Sequence, residues 1–333
     1  MGPAETNASR RRARAIPRRD TLRRITRLQR PLHAAAFLLA LLLTPASAQT
    51  VISVDIAALW DYRQPAESEA RFRAALPALA GDARLEVLTQ IARTFSLRRR
   101  FDEAHAVLDE VEPQLKTAGP APQLRYLLER GRTFRSAKLA EKARPLFVQA
   151  WELGRETGEE DLAIDAAHMV AIVDGGAAGI EWNQKALALA RSARDARARR
   201  WAASLLNNLG HESRQLGRHD DALRYFQEAV PAYEARGNPA DLRVAWWQIA
   251  RTRRDLKQHE AALDILFRLE RESAQADAPD GYVFEEIAEN LDALGRTAEA
   301  KLYFRRAFDT LSRDAWLPRD EPQRLERLNA RSK

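Results

Sequence analysis

The chain of 333 residues contains no cysteine. That absence excludes a disulfide framework, a thiolate nucleophile and a thiolate metal site, and it leaves no thiol for a lipid anchor behind an export signal. Lysine is scarce, seven residues against 47 arginines, a bias that fits a GC-rich, alanine-rich coding sequence better than arginine chemistry. No stretch alternates apolar and polar residues with period two in a Val/Ile/Thr-rich background, so strands are not expected. Histidine is sparse as well. His211-Glu212 and His259-Glu260 are not completed to the H-E-x-x-H zinc pair. The Gly175-Gly176-Ala177-Ala178-Gly179 run lacks the lysine and preceding strand of a phosphate loop, and there is no G-x-S-x-G elbow. A non-enzymatic protein without cofactor or metal is expected, although paired carboxylates on charged helices are not excluded by sequence.

What is present begins with charge. The formal net charge is +7, which alone would suggest nucleic acid or an anionic membrane as partner. Its distribution removes that reading. Residues 1–48 hold ten arginines and two acids, Glu5 and Asp20, leaving 44 basic against 45 acidic residues in the rest. The basic stretch ends at Arg30, an apolar run follows from Ala34 to Leu43, and Pro45 then precedes Ala46-Ser47-Ala48. That order predicts a secretory signal peptide cut after Ala48 and a periplasmic or secreted product. Ten apolar residues span about 15 Å as a helix, half of a bilayer core, so no stable membrane span is expected in the mature chain. An uncleaved leader, an organellar presequence or a start codon placed too early would leave the same residues.

The remainder alternates helical patterns with short breaks, and the breaks are periodic. Alanines at 104, 143, 222, 262 and 300 each precede a bulky residue by four positions and a small or apolar one by seven. Examples are Ala143-Phe147-Ala150, Ala222-Phe226-Ala229 and Ala300-Phe304-Ala307. The alanine gaps are 39, 79, 40 and 38 residues, so one divergent repeat is expected near 163–192, with Asn183 or its neighbour Trp182 in the anchor position. The clearest unit is Leu205–Arg236, with Asn208-Leu209-Gly210 in its first helix, a Gly217-Arg218 turn, and Ala222, Phe226 and Ala229 in its second.

This unit resembles the tetratricopeptide repeat. The resemblance implies an all-α fold, a right-handed α-solenoid of antiparallel helix hairpins. Gly210 and Ala222 would let the helices approach closely, and Phe226 would plug the gap to the next hairpin. About six repeats of 39 residues are expected, longer than the usual 34 of the family. The expected organisation is a leader over 1–48, an N-terminal cap over 49–84, the solenoid over 85–312, and a C-terminal cap and tail over 313–333. An unpaired amphipathic helix over 58–76 and a polar one over 320–331 would cover the ends.

The resemblance also places a binding surface, because the first helix of each hairpin lines the concave face. Groove positions fall three residues before the small residue of that helix, then one and four after it. They collect His168, Asn207, His211, Arg214, Trp247, Arg251 and Arg254 at mid-groove and Glu285, Glu289 and Asp292 at the C-terminal end. Arginine forks around a tryptophan suit an extended peptide or an anionic group, with the acidic end fixing ligand polarity. The family's chaperone-tail clamp needs lysines that Asn207 and Asn208 do not have beside them, so that specificity is not implied. Arg191, Arg194, Arg197, Arg199 and Arg200 read as a solvated outer face, with polyanion binding as the minor alternative. The expected function is an exported scaffold holding a peptide or protein, not nucleic acid; the alternative is a peptide or small-ligand sensor whose superhelix changes shape on binding.

Overall fold

The computed structural model describes residues 54–314 and 316–333. The expected leader and its cleavage after Ala48 lie outside the described residues. Within them every regular element is helical. A turn of helix, α1 (Ile56–Leu59), and α2 (Pro65–Ala75) precede six hairpins. The hairpins pair α3 (Gly81–Leu97) with α4 (Phe101–Val111), α5 (Pro120–Ser136) with α6 (Ala140–Thr157), and α7 (Glu160–Asp174) with α8 (Gly176–Ser192). They continue with α9 (Ala196–Gln215) and α10 (His219–Arg236), α11 (Pro239–Asp255) and α12 (His259–Gln275), and α13 (Gly281–Ala293) and α14 (Thr297–Leu311). Two short helices, α15 (Leu317–Asp320) and α16 (Pro322–Arg331), close the array. The fold is the expected all-α solenoid.

Five of the six hairpins turn on one residue in the left-handed region: Arg99, Lys138, Gly217, Lys257 and Gly295. Each turn carries the same two bonds, for example Gly217 N–H to the Arg214 carbonyl at 3.0 Å and Arg218 N–H to the Ser213 carbonyl at 2.8 Å. That pairing satisfies the last carbonyls of one helix while the next residue starts the other. The third hairpin departs from the pattern and turns on Gly175 and Gly176, both at positive φ. At the opposite edge, Asp195, Asn238 and Asp280 cap α9, α11 and α13 through their side chains, and prolines stand in the first turn of α2, α5, α11 and α16.

Packing follows the repeat. Ala104, Ala143, Ala222, Ala262 and Ala300 are buried, as are Phe147, Phe226 and Phe304. A β-carbon on Gly131 would stand 2.5 Å from the Phe147 ring, and one on Gly210 would stand 2.5 Å from the Phe226 ring, so glycine is what permits those contacts. In the divergent repeat Asn183 takes the anchor place and is 3% exposed. Its neighbour Trp182 instead meets the Trp151 ring edge-on at 6.1 Å.

The ends differ from expectation in where their helices start. Pro65 fixes the first turn of α2, and residues 58–64 leave the helix that 58–76 was expected to form, because proline disfavours helical geometry in the residue before it. Phe72 buries the helix against the core, and Trp60 Nε1 donates to Gln90 Oε1 at 3.0 Å. At the other end Pro322 sets the start of α16, and Leu328 is fully buried beneath it.

Candidate functional site

The stripe expected to line the groove is polar, and most of it is spent on its own neighbours. Consecutive first helices are joined by a ladder of side-chain bonds. Arg93 of α3 donates to Glu129 of α5 at 3.0 Å, and Arg132 of α5 forks onto Asp165 of α7 at 2.5 Å. His168 of α7 meets Asn208 Nδ2 of α9 at 3.3 Å, and His211 of α9 meets Gln248 Nε2 of α11 at 2.9 Å. Arg214 donates to Asp255 at 2.5 Å, and Arg254 of α11 forks onto Glu286 of α13 at 2.7 and 3.1 Å.

The partners of these side chains reveal a column that the sequence reading passed over. Gln90, Glu129, Asn208, Gln248 and Glu286 each stand two residues before the small residue of their helix. The signal was available: a polar residue recurring beside a buried small one, in register with the repeat. Conversely, the position three before the small residue is less open than expected, since Thr89, Leu128 and Glu285 there are buried.

Burial sets the electrostatics of the ladder. It opposes charge on Arg132 and Asp165 alike, but each partner overcomes it, so the arginine pKa is raised and the carboxyl pKa lowered. Burial pushes the Glu286 carboxyl up despite Arg254 and Arg251. It holds the His168 and His211 imidazoles below their ordinary value, Arg214 and Arg251 adding to the effect at His211.

The expectation of an open acidic end gives way to a filled one. Arg324 and Arg327 of α16 both reach Glu285 at 2.5 Å, and Arg331 reaches Glu289 at 2.7 Å and Asp292 at 2.5 Å. The sequence separations, 38 to 42 residues, match one repeat. Thus α16 stands where the first helix of a seventh hairpin would stand and completes the ladder. Arg214 and Arg254 are likewise committed. Leaving a buried carboxylate such as Glu285 or Glu286 without its partner costs about 3–5 kcal/mol, more than the roughly 1.5–3 kcal/mol that a new charged contact returns, so Arg254 and Arg324 stay in place.

Two sequence-predicted residues remain uncommitted. Asn207 is half-buried and makes no side-chain hydrogen bond among the described residues. Arg251 approaches Glu286 Oε1 at 3.5 Å, but its buried Nε has no hydrogen-bond partner there. Burial and then Arg214 lower the Arg251 pKa. Its guanidinium lies 5.1 Å from the Trp247 ring centre, and Trp247 Nε1 donates to the Tyr282 carbonyl at 3.3 Å.

Arg251 and Trp247 stand between two cavities. One, of about 440 Å³, is wholly polar: Arg251 and Arg254 of α11 and Glu285, Glu286 and Glu289 of α13 face Arg324 and Arg327 of α16. The other, of about 380 Å³, is mainly apolar, with Trp247, Val244, Leu269, Val283 and Tyr282 in its walls and Arg243 and Asp280 among its polar residues. Val244 is 55% exposed there. Sequence reasoning missed this apolar pocket because its walls come from three helices, although Val244, Trp247 and Arg251 do follow helical spacing.

Fold and groove together define a tetratricopeptide-type α-solenoid. Residues 202–235 match the tetratricopeptide repeat family. The fold is shared with a signal transduction ATPase with numerous domains from Pyrococcus horikoshii that carries a tetratricopeptide repeat sensor (TM-score 0.64, 15% identity, 79% of this chain). The chain spans only 41% of that protein's length. It is similar over 82% of its length to 81% of the apo form of RapI (TM-score 0.65, 11% identity). It is similar over 83% of its length to 76% of the apo quorum sensor NprR of B. thuringiensis (TM-score 0.51, 15% identity). No curated protein sequence matches the chain. Among the described residues no helix is long and apolar enough to cross a membrane.

Proposed function

We propose that this protein is an exported, non-enzymatic scaffold that holds a peptide segment of a partner protein across α11 and α13. The observation that carries the reading is the Trp247–Arg251 ridge, a guanidinium over an indole that only approaches Glu286 at 3.5 Å, set between an apolar and a charged cavity. An apolar side chain of the peptide fills the pocket beneath Val244 and Trp247, and a neighbouring carboxylate takes the free N–H groups of Arg251. The charged cavity has four arginines and four glutamates in its walls, so it favours polar, bipolar peptide over a uniform polyanion.

The test is capture from a displayed peptide library, with Arg251→Glu as the variant. Arg254 is left alone, because its loss strands the buried Glu286 carboxylate. The parent is expected to select peptides with a carboxylate next to an apolar residue. Arg251→Glu should weaken their binding at least tenfold with the helical circular dichroism unchanged. Equal capture by parent and variant removes the ridge from the site.

A second reading, a sensor that changes shape, has its own support at the joint between α10 and α11. The buried apolar core parts there. One cluster ends at Tyr225 and Ala229, another begins at Ala250, and a small set including Phe226, Val230 and Ile249 lies between them. Compaction in small-angle scattering during the same peptide titration marks the sensor; an unchanged radius marks the rigid scaffold.

A further inference from the structure

The arginines expected to be a bland outer face do not behave alike. Arg191 is paired with Glu228 at 2.8 Å. Arg199, Arg200 and Arg236 instead frame a cup of about 650 Å³ whose remaining walls are Ala196, Ala232 and Ala235, with no acid among them. Two of the three are held by carbonyl oxygens. Arg199 Nη1 donates to the carbonyls of Ala193 at 3.1 Å and Arg194 at 2.6 Å, and Arg236 Nη2 donates to the Arg200 carbonyl. Arg236 also lies 5.5 Å from the Tyr233 ring centre. Acids close by in sequence are turned elsewhere: Glu160 accepts the backbone N–H groups of Arg194 and Asp195, and Asp195 caps α9.

The contrast with the ladder is the point. There each committed arginine is neutralised by a carboxylate. Here carbonyl dipoles fix two guanidinium groups without cancelling their charge, and the Arg200 side chain makes no bond among the described residues. Three pinned or free forks from two helices, over an apolar floor, leave unmet N–H groups directed at one concavity. We propose that this cup is an anion site for a phosphate group, either a soluble phosphate ester or diphosphate, or the headgroup of an anionic lipid. A terminal phosphate offers three oxygens to three forks, whereas a lone carboxylate offers two. The cup shares no residue with the two groove cavities, and this site stands or falls independently of peptide binding.

The full chain is titrated with pyrophosphate at low ionic strength. Saturable one-to-one binding is expected, about tenfold weaker in Arg200→Gln, the loss of one charged hydrogen bond. Because that side chain holds nothing else, the variant's melting temperature should equal the parent's. Arg194→Gln, outside the cup, should bind like the parent. Sedimentation with phosphatidic acid vesicles, competed by pyrophosphate and lost in Arg200→Gln, assigns the phosphate to a lipid headgroup. Pyrophosphate binding without vesicle binding assigns it to a soluble ligand. The site is overturned if neither probe binds, if citrate binds as well as pyrophosphate, or if Arg194→Gln weakens binding as much as Arg200→Gln. Tight binding of single-stranded DNA that needs the whole patch overturns it too.

Discussion

At the level of the residue, the turn inside five of the six hairpins asks for one left-handed residue, and the chain answers with two kinds. Gly217 and Gly295 adopt that geometry without a β-carbon clash, whereas Arg99, Lys138 and Lys257 adopt it at φ between 60° and 64°. A side chain in that region costs about 1–2 kcal/mol. Lys257→Gly should therefore stabilise the protein by about 1 kcal/mol, some of the gain being offset by the greater freedom of glycine in the unfolded chain. For an array of this size the melting temperature should rise by about 2–4 °C, measured by circular dichroism. A fall would mean that the lysine side chain contributes a contact exceeding its strain. The same turns show what could be read in advance. Gly217 and Gly295 announce a break by their chemistry, but Lys138 and Lys257 carry no turn chemistry, and only the period of the repeat reveals them.

At the level of the helix pair, close approach and ring size are matched in four of the six hairpins, whereas the sixth sets Ala288 with Phe304. Gly131 faces Phe147 and Gly210 faces Phe226, while the first and fifth hairpins place Ala92 with Leu108 and Ala250 with Leu266 at the equivalent positions. A methyl at Gly210 has to displace a buried ring, so Gly210→Ala should cost about 1–3 kcal/mol in denaturant unfolding. The combined change Gly210→Ala with Phe226→Leu reproduces the pair used elsewhere. It should recover part of that loss relative to the sum of the single changes, a coupling that a double-mutant cycle measures. Strict additivity would show that the two side chains do not share the contact. Anchors of this kind were legible because small and bulky residues keep their spacing in every unit. The ladder was legible by half. Its arginines and histidines fall at groove positions of the helix, but their partners sit one helix onward. Which side of a helix two residues before Ala250 faces depends on the angle between hairpins, a tertiary quantity absent from a single repeat. For the same reason the groove read as basic: Asp165, Asp255 and Glu286 come from neighbouring repeats.

Over the described residues, a run of paired charges extends from α3 to α16. Interspersed in that run are histidines kept neutral. Burial lowers the pKa of His105, His168 and His211 relative to the unfolded value, with neighbouring arginines assisting. Each therefore binds fewer protons folded than unfolded in the window below about pH 6.5. Their contribution to stability is complete above that pH and is lost as the pH falls through the folded values. Glu159, Asp161 and Glu286, raised by burial, work in the opposite direction, so the parent's profile alone does not isolate the histidines. The informative comparison is the parent against His168→Gln combined with His211→Gln, melted at a series of pH values from 7.5 to 5.5. Glutamine can still bridge toward Asn208 and Gln248 but takes up no proton. The doubly substituted chain is expected to start lower at pH 7.5, having lost packing against Trp201 and Phe226, whose rings lie 5.6 and 5.5 Å from the two imidazoles. It should then lose less melting temperature than the parent on acidification, so that the two curves converge toward pH 5.5. Parallel curves would mean that both imidazoles titrate in the folded array as they do in the unfolded chain, and that the links between α7, α9 and α11 do not depend on their neutrality.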